Sequence, residues 1–172
     1  MPLKFMSPDA QMRRRQRRGH GTGLVASALI LAAAYALEWG AGMEPCPLCM
    51  VQRLVFAGMG AVFLLAFLHG AASWGRWVYA GLAALIAAAG VGIAGRHLWI
   101  QSLPDEAVPT CGPGLDYMVE TFGVWDALTT ALEGSGGCAE VHPVLGLPLP
   151  AWTLAGYLLL GGWALLIARR PE

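Results

Sequence analysis

Four apolar stretches without Asp, Glu, Lys or Arg constrain this chain more than any other feature: Gly21–Leu37, Leu54–Leu68, Trp77–Gly95 and Ala151–Ala168. A helix needs about 20 apolar residues to cross a bilayer, and each stretch approaches that length with its flanks. Charged residues make up only 13% of the chain, against about 25% in soluble domains. We therefore predict an all-α integral membrane protein, a bundle of four transmembrane helices at about residues 21–38, 50–69, 77–97 and 151–168.

Basic residues are distributed unevenly around these spans. Most of them precede the first span, separate the second from the third, or follow the fourth: Lys4, Arg13, Arg14, Arg15, Arg17, Arg18, Arg76, Arg169 and Arg170. Four crossings place all of these on one side, which the positive-inside rule makes cytoplasmic. Residues 98–150 carry seven acidic residues and no Lys or Arg. We predict cytoplasmic termini and two outward-facing loops, at about residues 39–49 and 98–150.

The basic segment 1–20 has two other interpretations. A basic stretch followed by apolar and small residues also resembles a secretory signal, but its removal would leave three spans and put one basic segment on the wrong side. A nucleic-acid role would need support beyond a short basic arm next to a membrane helix. We interpret residues 1–20 as an orientation determinant, expect no nucleic-acid partner, and predict a single domain over residues 1–172.

The long outer loop contains apolar residues at helical spacing: Leu115, Met118, Val119, Phe122, Trp125, Leu128 and Leu132. Acidic residues lie between them, so the pattern predicts one short amphipathic helix. Its apolar side could lie in the membrane interface or pack on protein, and Gly123 weakens the helix.

All four cysteines fall in the predicted outer loops, where an oxidising compartment allows disulfides to persist. Only two residues separate Cys46 from Cys49, so a local pair is natural, which leaves Cys111 with Cys138. The second bridge could be a structural staple, but its glycine-rich flanks favour a labile, redox-active bond. A structural zinc site usually combines two pairs of cysteines that are each closely spaced in the sequence. Here only Cys46 and Cys49 are closely spaced, so we predict no metal.

The start of the second span favours chemistry at Cys49. Pro47 suits the first position of a helix, which would place Cys49 in the first turn, where unpaired amides and the helix dipole favour a thiolate. Arg53 follows four residues later, one turn along the same face. Its charge could stabilise that thiolate or a nearby electron acceptor, and the alternative is an arginine that only snorkels to the interface.

These residues together resemble the disulfide bond formation protein B (DsbB) family. The resemblance is carried by Cys46-Pro47-Leu48-Cys49 with Arg53, by Cys111, and by Gly137-Cys138-Ala139-Glu140 followed by Leu145-Gly146-Leu147-Pro148 and Trp152, in a frame of four spans. It covers nearly the whole chain after residue 20.

The resemblance implies an enzyme of the bacterial inner membrane whose outer loops are periplasmic. Cys111 would be attacked by a reduced DsbA-like thiol oxidase, and Cys138 would be its bridge partner. Electrons would pass to Cys46 and Cys49, and from Cys49 to a membrane quinone, ubiquinone or menaquinone. Arg53 and His97 would lie at the quinone site.

A different class of function is also compatible with the sequence: a non-catalytic membrane protein whose outer loops are braced by two structural disulfides. Such bridges should resist mild thiols, whereas relay bridges should turn over. Five other titratable residues are interpreted as interface or solvated groups: His20, His69, His142, Glu38 and Glu44.

Overall fold

The computed structural model describes residues 7–70, 73–108, 115–134 and 136–169. Four long helices dominate it: α1 (Pro8–Ala41), α2 (Pro47–His69), α3 (Trp74–Gln101) and, last in the chain, α6 (Leu149–Arg169). The segment between α3 and α6, called the outer segment below, contributes α4 (Leu115–Phe122), α5 (Val124–Glu133) and a minimal hairpin of β1 (Pro143–Val144) and β2 (Leu147–Pro148). All four long helices are long and apolar enough to cross a membrane. The predicted four-helix membrane fold is confirmed.

The spanning helices extend beyond the uncharged stretches that predicted them. Helix α1 begins at Pro8, where the Ser7 hydroxyl accepts a hydrogen bond from the Ala10 amide, and it ends at Gly42 in a left-handed conformation. The arginines of residues 13–18 therefore lie on the first turns of α1. An uncharged run marks only the part of a helix that lies in hydrocarbon, and the helix continues until a capping residue ends it.

Small residues let the long helices approach one another closely. Helix α3 packs along α6, and α1 packs along α2. The ring of Tyr157 on α6 stacks on Phe56 of α2, with centroids 4.1 Å apart. Its other neighbour is Gly90 of α3, where an added Cβ would lie 2.7 Å from the tyrosine ring. Close packing of this kind is the main source of helix association in lipid.

We expect Gly90→Ala to destabilise the bundle by about 1–3 kcal/mol, because the stacked Tyr157 ring has little freedom to move away from the new methyl group. Gly92→Ala is the matched control, since it lies on the same helix and its added Cβ would meet nothing within 4 Å. Thermal unfolding of both variants in detergent measures the difference. Equal unfolding temperatures would contradict the packing argument.

The amphipathic outer segment forms two helices where the sequence predicted one. The break is Gly123, whose φ of 85° is a left-handed conformation that favours glycine. Ala127 and Ala131 are the buried face of α5, which contacts α2. The Arg96 guanidinium of α3 donates to the carbonyl oxygens of Leu132, at 2.7 Å, and Glu133, at 2.8 Å. These hydrogen bonds join the C-terminal end of α5 to the C-terminal part of α3.

The interpretation of His20 as an interface residue is wrong. Its side chain is buried between helices, near the rings of Phe63 and Tyr79. Within the described residues, neither nitrogen of this imidazole has a hydrogen-bond partner. His69 is exposed, as predicted, with its Nδ1 2.9 Å from the Tyr79 hydroxyl.

Candidate redox site

Helix α2 begins at Pro47, as the sequence predicted, and Cys46 is its N-cap residue. The Cys46 sulfur accepts a hydrogen bond from the Cys49 amide at 3.4 Å. The two Sγ atoms lie 3.1 Å apart, and the pair is present as two thiols. The start of one helix therefore holds both sulfurs of the motif within reach of each other.

Cys138 approaches this pair from the outer segment. It ends a short 3-10 turn, Gly136–Cys138, and packs in a small apolar cluster with Leu48 of α2 and Ile100 of α3. The cluster excludes solvent from Cys138 completely. The Cys138 sulfur lies within 4.8 Å of the Cys46 sulfur. Cys46 is therefore next to one sulfur of its own motif and one from a distant part of the chain.

His97 of α3 is buried beside these sulfurs. Its Nε2 lies 3.8 Å from the Cys46 sulfur and 3.1 Å from the Cys138 carbonyl oxygen. A carbonyl can only accept, so Nε2 carries the proton and Nδ1 is an acceptor. The amide nitrogen of Gln52 lies 3.2 Å from Nδ1 and donates to it. The imidazole is therefore held in one tautomer, with its proton directed at the sulfur cluster.

Gln52 and Thr153 orient His97 through two successive hydrogen bonds. Neither residue was predicted from the sequence. The Thr153 hydroxyl donates to the Gln52 side-chain oxygen at 2.7 Å, which turns the amide nitrogen toward His97. The Tyr157 hydroxyl donates to the Gln52 backbone oxygen at 2.7 Å. A polar residue at an intramembrane helix position is the signal that could have found Gln52.

We expect Thr153→Val to lower the rate of electron transfer out of the dithiol by about 2- to 10-fold, the value of one net hydrogen bond, because the Gln52 amide loses its orientation. The same substitution at Thr129 is the control, since within the described residues that hydroxyl donates to the carbonyls of Trp125 and Asp126 in its own helix. Nitrogen NMR shifts of His97 report the tautomer directly. An unchanged tautomer and rate in Thr153→Val would show that the hydrogen bonds from Thr153 through Gln52 do not position His97.

Arg53 is anchored to α1. Its guanidinium forms an ion pair with Glu38, donates to the Ala34 carbonyl oxygen at 3.2 Å, and lies over the Tyr35 ring. Glu38, interpreted from the sequence as an interface or solvated residue, is partly exposed and paired with Arg53. A carboxylate that holds a guanidinium in one position near the membrane is a positioning group.

One cavity joins these groups. It opens between α1, α2, α6 and the segment after Cys138, and Cys46, Cys49, Arg53 and His97 all line it. Much of the remaining wall is apolar and includes Ile30, Leu31, Leu37, Phe56 and Leu149. An apolar pocket with a few convergent polar groups is the usual form of a site for a small organic molecule.

Comparison with known proteins decides the family. The family model described as "Disulfide bond formation protein DsbB" matches residues 16–167. The chain belongs to the DsbB family. Among curated members named "Disulfide bond formation protein B", that of Chromohalobacter salexigens is 48% identical over 84% of this chain and 85% of its own. The Marinobacter nauticus member is 51% identical over 76% and 79%. No solved structure gave a significant match.

Within this DsbB-family fold, five of the six predicted site residues converge: Cys46, Cys49, Arg53, His97 and Cys138. The sixth, Cys111, lies outside the described residues, and so does the predicted Cys111–Cys138 bridge. The assignment of redox roles to all six remains a prediction. The fold brings together groups that come from two helices and a loop.

The surroundings of Cys46 control its protonation in the dithiol state. A hydrogen bond with Cys138 lowers the pKa of Cys46, but the hydrogen bond with Cys49, burial and the charge of Cys49 outweigh it and raise the pKa to about 12. Cys46 therefore keeps its proton at neutral pH.

Proposed function

We propose that this protein is a quinone-dependent protein-thiol oxidoreductase that reoxidises a periplasmic DsbA-like oxidase. The supporting observation is the position of Cys46, which contacts Cys49 on one side and Cys138 on the other, beside a cavity that Arg53 and His97 line. Electrons can enter such an arrangement through Cys138 and leave through Cys49.

The proposed thiol steps combine these contacts with the Cys111–Cys138 bond that the family resemblance implies. Attack of the partner's thiolate on Cys111 breaks the Cys111–Cys138 bond and frees a Cys138 thiolate. Cys138 then attacks Cys46, which forms a Cys46–Cys138 bond, breaks Cys46–Cys49 and releases Cys49 as a thiolate. The second thiol of the partner attacks the mixed disulfide, which completes the partner's own disulfide and releases the Cys111 thiolate. Cys111 then attacks Cys138, which re-forms the Cys111–Cys138 bond, breaks Cys46–Cys138 and leaves Cys46 and Cys49 reduced. Two electrons and two protons have then moved from the partner to this dithiol.

The cavity residues suit a quinone headgroup. Apolar walls match its ring and isoprenoid tail, and Arg53 supplies a hydrogen-bond donor for one of its oxygens. When bound, a quinone accepts two electrons and two protons. Cys49 would donate the electrons as the Cys46–Cys49 disulfide re-forms, and the anchored Arg53 would stabilise negative charge that develops next to it.

The proposed location is the bacterial inner membrane. The asymmetry of basic residues supports cytoplasmic termini, and a periplasmic outer face would give the cysteines access to a secreted partner. The lipid-embedded cavity would give access to the quinone pool.

Purified protein in detergent, supplied with a reduced DsbA-like oxidase and a soluble ubiquinone or menaquinone analogue, is expected to reduce the quinone with an equal amount of partner disulfide formed. Omission of either substrate should stop the reaction. A protein whose disulfides only brace its loops would show neither product, and that result would refute the proposed function.

A further inference from the structure

The reduced site also has the composition of a metal centre. The side-chain ligand atoms of Cys46, His97 and Cys138 all lie within 4.8 Å of one another. Tetrahedral zinc, with bonds of about 2.3 Å to sulfur and 2.0–2.1 Å to nitrogen, places its ligands roughly 3.5–3.8 Å apart. The Cys46 sulfur and His97 Nε2 already lie 3.8 Å apart. Only small side-chain movements separate this cluster from a zinc site.

We propose that, in the reduced protein, Cys46, Cys138 and His97 bind one Zn²⁺ and thereby arrest the enzyme. Two thiolates with one imidazole form a Cys₂His set, which leaves a fourth position open. The Cys49 sulfur, 3.1 Å from that of Cys46, or a water can fill it. Binding transfers no electrons and releases two thiol protons, or three when Cys49 is the fourth ligand. While the ion is bound, neither Cys46 nor Cys138 can form a disulfide.

Gln52 and Thr153, which hold the His97 ring, are also compatible with zinc binding at His97. A metal on Nε2 requires the proton on Nδ1, so the Gln52 amide must present its oxygen instead of its nitrogen. Thr153 permits that flip, because its hydroxyl already lies 2.9 Å from the Pro150 carbonyl oxygen and can donate there while it accepts from the amide nitrogen. Histidine ligands usually have such an outer partner.

The surroundings of the cluster favour a soft ion over a hard one. Leu48 and Ile100 enclose Cys138, and no carboxylate belongs to the cluster within the described residues. Thiolates and imidazole select zinc-like ions over Mg²⁺ or Ca²⁺. The inference uses the reduced state of the cysteines and does not depend on quinone. Formation of the Cys46–Cys49 disulfide removes Cys46 as a ligand, so Zn²⁺ binds only to the reduced protein.

The test is a zinc titration of the full-length protein, reduced and then freed of reductant without air, against a chromophoric chelator. We expect one equivalent bound to the reduced form and none to the oxidised form. Cys138→Ser and His97→Gln should abolish tight binding, and Gln52→Leu should weaken it about 10- to 100-fold as an outer-partner change. His142→Gln is the matched control, because this histidine lines the same cavity outside the cluster.

Cobalt substitution adds a spectroscopic test, since sulfur-to-cobalt charge transfer reports thiolate ligation. Circular dichroism identifies any variant that fails to fold. If one does, protection of the partly exposed Cys46 from alkylation by Zn²⁺ in the wild-type protein takes its place as the test. Zinc binding that is absent, or unchanged in Cys138→Ser, overturns the proposal. Quinone reduction is measured separately. A protein that does not bind zinc can therefore still reduce quinone, and a protein that does not reduce quinone can still bind zinc.

Discussion

Replacement of Cys46 or Cys49 by Ser is expected to abolish quinone reduction completely, whichever thiol supplies the electrons. The proposed path leaves the protein only through this dithiol, which lines the cavity. Replacement of Cys111 or Cys138 should block oxidation of the protein partner but leave part of the quinone reduction driven by dithiothreitol, because a small dithiol can reach Cys46 and Cys49 directly.

Two assays on the four variants measure this division of labour: quinone absorbance with dithiothreitol, and quinone absorbance with reduced partner. Cys138 is the most informative position, since it contacts Cys46 but is absent from the cavity lining. If all four variants lost both activities equally, the sequential relay would have no support.

Arg53→Met should slow the quinone step by about 30- to 1,000-fold, because one positioned charge is worth roughly 2–4 kcal/mol when the bound quinone excludes water from the site. Arg53→Lys keeps the charge but loses the planar donor that pairs with Glu38 and Ala34 together. We therefore expect the lysine variant to fall between wild type and Arg53→Met. Single-turnover kinetics of the reduced protein with quinone isolate this step from thiol exchange.

Arg17→Met controls for the loss of any arginine, because Arg17 lies at the other end of the bundle and donates to the Leu68 carbonyl oxygen. It should leave the quinone step unchanged. An arginine at position 53 that only snorkels would affect insertion and yield but not this rate. Normal quinone affinity and turnover in a well-inserted Arg53→Met protein would contradict the assignment.

The spans and the start of α2 could be predicted from the sequence because the physics that determines them is local. In lipid, each backbone amide must be satisfied within its own segment, so an uncharged apolar run of spanning length has to be a helix. Pro47 could be placed at the first helical position for a similar reason, since its ring fixes φ and it lacks an amide proton. The offset from Cys49 to Arg53 is likewise a property of one helix.

The partners of those residues could not be predicted, because they lie on other elements. Gln52 meets His97 of α3 and Thr153 of α6, and Arg53 meets Glu38 of α1. Such contacts depend on how the helices cross and rotate, which no periodicity within one helix encodes. His20 was misassigned for the same reason, since its burial follows from the packing of α1 against its neighbours.

The sequence by itself determined that four helices are long and apolar enough to cross a membrane and that Cys46, Cys49 and Arg53 share the N-terminal end of one of them, because hydrocarbon and helical geometry act on neighbouring residues. Only the tertiary structure decided that Cys138 lies against Cys46 and that His97 directs its Nε2 proton at both, with Gln52 fixing the tautomer. Those contacts join residues up to 92 positions apart in the chain, and close packing between helices and loop is what holds them together.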